Sequence, residues 1–220
     1  MKHSSVSGAF LFFLMLCCTY FQAFSQKDVT AKDLLDKSSE TFTRSAGISA
    51  FFTFNIKNVR AKTAESFDGT ILMKGDKFFL STPETDAWFD GKTQWVYLKS
   101  NQEVNISEPT KEELQLMTPA ILFSIYKKGF NCKYVGERTD IKGFPVYELE
   151  LIPQKKADIK KIIIQIDKKN NLPVSIVILN KNEINNNIYI NKYQTGQNYS
   201  DDTFVFDRKK YPGAEIIDLR

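Results

Sequence analysis

The side chains able to do chemistry are few and poorly spaced for it. One histidine, His3, and three cysteines, Cys17, Cys18 and Cys132, are the entire supply of imidazole and thiol. Acidic pairs occur at Glu112-Glu113, Glu148/Glu150 and Asp201-Asp202, where two carboxylates could divide acid and base roles. Glu148 and Glu150 alternate with Tyr147, Leu149 and Leu151, which is the pattern of a solvated strand face. Asp201-Asp202 lies in a turn-like stretch. Lys155-Lys156, Lys160-Lys161 and Lys168-Lys169 read as solvent-facing charge. The sequence contains no Walker loop, GxGxxG, HExxH, CxxC or GxSxG motif.

The N-terminus removes most of what is left. Lys2 and His3 form a basic start, Gly8 to Tyr20 is an apolar run, and Ala23-Phe24-Ser25 offers a small–x–small cleavage pattern before polar Gln26. That is the order of a secretory signal peptide, and the run is short for a membrane span of about 20 residues. Leu16 before Cys17, and Cys17 before Cys18, lack the small residue that would mark a lipid-modified cysteine. A signal peptide over 1–25 and a single exported domain over 26–220 are expected. Cleavage would take the one histidine, two cysteines and Lys2, lowering the formal charge from +4 to +3. A Ser-His-Asp triad, a Cys-His dyad and a histidine-ligated metal cannot then be built. The small charge argues against a nucleic-acid partner. Cys132, in the alternating run Phe130, Cys132, Tyr134, reads as a structural thiol.

Apolar periodicity organises the rest. Thr30 and Asp33 form a capping-box pair ahead of Leu34, Leu35, Ser38 and Phe42 at helical spacing. From Ile48 the period is two: Ile48, Ala50, Phe52, Phe54 and Ile56, then Phe67, Gly69, Ile71 and Met73, then Phe78 and Leu80, Ala87 and Phe89, Trp95 and Tyr97, Val104 and Ile106. Gly75-Asp76, Asp90-Gly91 and Asn170-Asn171 mark turns. Residues 110–128 return to helical spacing behind a Thr110/Glu113 cap, interrupted by Pro119. Strand runs resume over 130–137, 144–152, 159–167, 173–181 and 186–195. The fold class is mainly β: about eleven strands in a strongly curled antiparallel sheet.

So many large inward side chains leave two options, a filled core or an enclosed ligand cavity. The apolar insertion likewise reads either as a plug or as a lid. An acyl chain of sixteen carbons exposed to water costs roughly 12 kcal/mol at about 0.8 kcal/mol per CH₂, so a lipid carrier needs a largely enclosed cavity.

Several segments, in order, carry a family resemblance: Ala50-Phe51-Phe52-Thr53-Phe54, Gly69-Thr70-Ile71-Leu72-Met73-Lys74, Phe78-Phe79-Leu80, Asp90-Gly91-Lys92-Thr93-Gln94-Trp95-Val96-Tyr97, Thr118-Pro119-Ala120-Ile121-Leu122 and Phe204-Val205-Phe206. The chain from residue 26 onward resembles the periplasmic outer-membrane lipoprotein carriers, the LolA-like proteins. The resemblance implies an incomplete antiparallel barrel of eleven strands covered by an N-terminal helix and a helical insertion. It implies a non-enzymatic periplasmic carrier with no nucleotide or metal of its own. Such a carrier takes acylated lipoproteins from an inner-membrane ABC transporter to an outer-membrane acceptor, and is expected to act as a monomer. By the same resemblance, Leu114, Met117, Ile121, Leu122 and Ile125 would form the lid. Phe52, Phe54, Ile71, Met73, Phe78, Leu80 and Trp95 are the cavity-wall candidates, alternation leaving open which face is concave. Family members hold the lid with an arginine at the end of the strand matching 69–74. Here Gly75 stands there, and Lys74 or Lys77, without the guanidinium fork, is the available substitute. A lipid-sensing regulatory module on the same fold, and a carboxylate enzyme at the barrel mouth, are the alternatives.

Replacing Ile121 and Leu122 by serine should weaken lipid retention while far-UV circular dichroism keeps its strand signal; unchanged retention would reject the lid role.

Overall fold

Thr30 starts the first described element as its pairing with Asp33 requires. In the computed structural model, which describes residues 29–110 and 129–220, the Asp33 backbone N–H donates to Thr30 Oγ1 at 3.1 Å and the Thr30 N–H donates to the Asp33 carboxylate at 3.3 Å. Two donors that the helix itself cannot satisfy are thereby bonded. Helix α1 (Ala31–Arg44) follows, burying Ala31, Leu34, Leu35, Ser38 and Phe42 along one stripe. Gly47 then lets the chain pass beneath residues 197–199, since a Cβ there would stand 2.5 Å from the Gln197 carbonyl oxygen.

Twelve strands form one sheet. They are β1 (Ile48–Asn58), β2 (Thr63–Lys74), β3 (Lys77–Ser81), β4 (Thr85–Phe89), β5 (Gln94–Leu98) and β6 (Glu103–Ser107), then β7 (Phe130–Thr139), β8 (Pro145–Pro153), β9 (Ile159–Asp167), β10 (Pro173–Asn180), β11 (Ile184–Thr195) and β12 (Glu215–Asp218). Their order is β12-β6-β5-β4-β3-β2-β1-β11-β10-β9-β8-β7, open between β12 and β7. Two meanders of neighbouring hairpins therefore meet at one long-range seam, β1 against β11. The chain leaves β6 beside one end of the sheet and re-enters it at β7, the other end. The expected signal peptide over 1–25 and the expected lid residues Leu114, Met117, Ile121, Leu122 and Ile125 lie outside the described residues.

Alternation sorts the sheet into two faces. The inner face carries the core: Ile48, Ala50 and Phe52 from β1, Ile71 and Met73 from β2, Leu149 and Leu151 from β8, Ile162, Ile164 and Ile166 from β9, Ile176 and Ile190 from β10 and β11. Helix α1 packs on this face, where the Phe42 ring meets Tyr193 edge-on at 6.2 Å. The Tyr193 hydroxyl is buried but donates to the Pro173 carbonyl at 2.9 Å, and desolvation pushes its pKa up. The outer face of β7–β9 carries a ladder of ion pairs, Arg138 with Glu148 and Lys161 with Glu150. Lys168 pairs with Glu137 on the other face, over the Tyr147 ring. Both Lys161 and Lys168, expected to face solvent, are half-buried. The hydrogen bond from Lys161 holds the Glu150 carboxyl below its ordinary range.

The count of strands exceeds the expected eleven by one, and the extra strand breaks the antiparallel rule. β12 runs parallel to β6. Before it, Phe204-Val205-Phe206 is not a strand: Asp201–Phe204 and Arg208–Lys210 are short 3₁₀ turns. This C-terminal strap crosses the outer face of β3–β5. Trp88, flanked by Phe79, meets Phe206 at 5.4 Å and Tyr211 at 5.6 Å, while Tyr211 also leans at a tilt against Tyr97 at 4.7 Å. Beneath Tyr211, buried Asp86 accepts from Ser81 Oγ at 2.6 Å and pairs with Lys99 at 2.8 Å. At the strap's start, Lys74 Nζ donates to the Tyr199 carbonyl at 2.8 Å and to Asp201 at 3.0 Å, and Lys77 reaches the same carboxylate at 2.9 Å.

The bonds from Lys77 and Lys74 hold the Asp201 carboxyl below the ordinary aspartate range. A carboxyl depressed on folding favours the docked strap above its unfolded pKa, about 3.9, and that preference fades as pH falls through the folded value. Asp201→Asn should speed proteolytic cutting at Arg208–Lys210 several-fold at neutral pH without changing the global melting midpoint measurably, because exposed pairs contribute little to it. Wild type should show the same faster cutting only on acidification below about pH 4.

Candidate functional site

The half of the inner face formed by β1–β5 and the edge of β11 is not filled. It walls a cavity of about 290 Å³. Phe52 and Phe54 come from β1, Phe67 and Ile71 from β2, Phe78 and Leu80 from β3, Ala87 from β4, Val96 from β5 and Ile188 from β11. The polar contributors are Gln94, Thr82 and Thr85, so no lining side chain among the described residues titrates.

The walls grade from buried to half-exposed. Phe52, Ile71, Phe78, Ala87 and Gln94 are buried, whereas Phe54, Phe67, Leu80, Thr82, Thr85 and Val96 are intermediate. The closed end therefore lies at Phe78 and Gln94, and the open end at Thr82–Thr85 and the Phe54–Phe67 pair, whose rings stack at 5.2 Å. At the open end Thr82 and Thr85 bond one another: the Thr85 N–H donates to Thr82 Oγ1 at 3.1 Å, and that hydroxyl donates to the Thr85 carbonyl at 3.1 Å. Lys99 Nζ adds a bond to the Thr82 carbonyl at 2.6 Å.

Gly69 shapes the middle of the cavity. A Cβ on it would lie 2.4 Å from Phe52 Cζ, so the Phe52 ring can lie flat over β2 only because residue 69 has no side chain. Gly69 and Phe52 are directly paired across β1 and β2.

The structure brings Phe52, Phe54, Ile71, Phe78 and Leu80 together as cavity walls. Met73 is buried on the same face, within the core cluster beyond the closed end. Trp95 stands on the outer face, cross-strand from Trp88, and its neighbours Gln94 and Val96 take the wall positions. Phe67 and Ala87 are in phase with the chosen residues and were legible by alternation. Ile188 was not, because it joins the wall only through the β1–β11 pairing, opposite Phe54.

The titratable groups lie elsewhere. Glu148 and Glu150 sit in the outer ladder with Arg138 and Lys161, Asp201 is held by Lys74 and Lys77, and burial pushes the Cys132 thiol up. Glu112 and Glu113 lie outside the described residues. Both lysines considered as substitutes for a lid-closing arginine are thus engaged with the C-terminal strap. Among the described residues, the cavity lining is apolar apart from Gln94, Thr82 and Thr85.

An open, curved β-sheet with one helix on its inner face and an apolar cavity beside that helix defines the class. The sequence matches the family described as outer membrane lipoprotein carrier protein LolA over residues 21–182, and the chain belongs to that family. The match stops short of β11 and the strap. No curated protein matches the sequence. Among solved structures, an uncharacterized conserved protein from Thermus thermophilus is similar at a TM-score of 0.60 and 13% identity, covering 86% of this chain and 98% of that one. A LolA superfamily protein from Nitrosomonas europaea matches at a TM-score of 0.45 and 12% identity, over 81% of this chain and 98% of that one. The first of these likenesses describes the fold.

Gly69→Ala should force the Phe52 ring toward the cavity, at a stability cost of about 1–3 kcal/mol, and should lower uptake of a fluorescent fatty acid. Adding Phe52→Leu to that variant should recover most of the lost stability, because the two residues share one contact. Additive losses in the double variant would show that the clash is relieved elsewhere.

Proposed function

We propose that this protein is an exported, periplasmic carrier that shelters acyl chains of lipoproteins in the β1–β5 cavity. It takes them from an inner-membrane ABC transporter and delivers them to an outer-membrane acceptor, with no catalytic step and no cofactor. The observation that carries this reading is the cavity itself: aromatic and aliphatic walls, no titratable lining group, and a gradient from a closed apolar end to a threonine-rimmed opening. Such a site answers the cost of moving an acyl chain through water. Membership of the LolA family supplies the cargo class. Of the residues chosen from sequence, Phe52, Phe54, Ile71, Phe78 and Leu80 are the contacts for the chain. Leu114, Met117, Ile121, Leu122 and Ile125 are proposed as the cover.

Purified residues 26–220, mixed with energised inner-membrane vesicles bearing a labelled acylated lipoprotein, should release it as a soluble one-to-one complex. Leu80→Glu places a carboxylate against the apolar wall, where a charge is costly to bury, and should reduce release at least tenfold with the fold intact by circular dichroism. No release by wild type, alongside a known carrier that works on the same vesicles, would reject the carrier role.

A further inference from the structure

The strands beside the cavity differ in length, and the step between them leaves a free edge. β2 runs for 12 residues and β3 for 5. β1 pairs with β2 from Met73 back to Thr63, whereas β3 pairs with it only from Thr70 to Lys74. Among the described residues, 63–69 are therefore bonded on one side only. The two-residue turn at Gly75-Asp76 closes on Lys74 and Lys77, so Lys74, Leu72 and Thr70 aim their main-chain N–H and C=O at β3. The same alternation aims those of Asp68, Ser66 and Ala64 outward, where no described strand receives them. All three residues are exposed.

Residues 63–69 hold neither lysine nor proline, with which exposed edges are commonly blunted. Unlike β7 and β12 at the two ends of the sheet, this edge also borders the cavity. Phe67, between Ser66 and Asp68, is part of the wall, and Thr82 and Thr85 at the β3–β4 turn line it across the step. One segment thus offers a cavity wall with a side chain and hydrogen-bonding groups with its main chain. What fits both is an apolar chain joined to a polypeptide. Main-chain groups along an edge bind an extended peptide with little regard to its side chains. At roughly 3.4 Å per residue the edge is about 24 Å long, room for about seven residues of peptide.

We propose that the β2 edge at residues 63–69 binds the peptide next to the acylated residue of the cargo. The peptide adds a strand in line with β3, while the acyl chain enters the cavity beside Phe67. This rests on the carrier reading and deepens it: the ligand is an acylated polypeptide, held by its main chain and so tolerant of cargo sequence.

Three probes test it by calorimetry: N-palmitoyl-cysteine amide, the same residue followed by a serine-alanine peptide, and that lipopeptide with its backbone amides N-methylated. The lipopeptide should bind at least about tenfold tighter than the amide, the ratio given by one or two net hydrogen bonds, and N-methylation should remove the gain. Ser66→Pro deletes an outward N–H that β1 does not use, at a position where a free edge tolerates proline. It should erase the gain while binding the amide as wild type does, and Ser66→Ala should keep the gain. Hydrogen exchange at Ala64, Ser66 and Asp68 should slow with the lipopeptide and not with the amide. Equal affinity for amide and lipopeptide, within about threefold, overturns the edge proposal and leaves the carrier reading standing. So does a gain that survives Ser66→Pro, or slow exchange at those three amides in the ligand-free protein, which means that another segment or a second copy already covers the edge. If Ser66→Pro binds neither probe, the N-methylated lipopeptide on wild type decides, and a retained gain overturns the proposal. Failure of wild type to bind amide and lipopeptide alike overturns both readings.

Discussion

The pairing of β1 with β11 is the constraint on which the rest of the molecule depends. Every other strand pair except β12–β6 joins neighbours in sequence through a hairpin or short connection. The seam joins residues more than a hundred positions apart, from Ile48 against Thr195 to Asn58 against Ile184, and its closure carries the entropy cost of a long loop. It also decides what the cavity is. Ile188 reaches the wall only because it faces Phe54 across the seam, and a bulge at Phe51/Phe52 resets the pairing where the Phe52 ring turns over Gly69. A slip of β11 by one residue would turn Ile188 to the opposite face and out of the wall.

The two faces of β3–β5 are served by different parts of the chain. The inner face is left open, while the outer face is covered by the strap through Phe206 and Tyr211 on Trp88. The strap begins at the Lys74/Lys77–Asp201 clamp and ends as β12 on β6. β12 thereby pairs with the last strand before residue 110. Lys74 and Lys77, the residues that the resemblance offered in place of a lid-closing arginine, hold the strap.

Most of the sheet was legible because half-buried strands write their register into every second residue. The capping box, the inner-face series of β1, β2 and β9, and the turns at Gly75, Gly91 and Asn171, all at positive φ, could be read directly. The failures follow from interactions that a local pattern does not encode. Trp95 and Tyr97 alternate as regularly as Gln94 and Val96 do, but the pairing of Phe89 with Gln94 puts Gln94 and Val96 on the inner face and turns the tryptophan outward. The spacing of Phe204-Val205-Phe206 gives no sign of its use, which is to anchor the strap with Phe206 on Trp88 and Phe204 buried against Tyr199. The parallel pairing of four-residue β12 with β6 leaves no trace in spacing. The cavity could be suspected from the number of large inward residues, but not placed. Which half of one continuous apolar face is filled depends on where α1 lies.

That division of the inner face carries an energetic argument. A void of about 290 Å³, if sealed and dry, would cost about 7 kcal/mol at roughly 24 cal/mol per Å³, which is comparable to the whole net stability of a typical domain. The cost here is smaller because the Thr82–Thr85 end is half-exposed. It is still a cost that a sequence selected for stability alone would remove by enlarging Ala87 or Val96. The filled half compensates: α1, Leu149, Leu151, Ile162, Ile164 and Ile166 are buried to 4% exposure or less wherever they meet, apart from Phe42 at the helix end. One half of the sheet thus supplies the stability that allows the other to stay unfilled. Any apolar chain entering the open half stabilises the fold as well as itself, so occupancy and stability are linked.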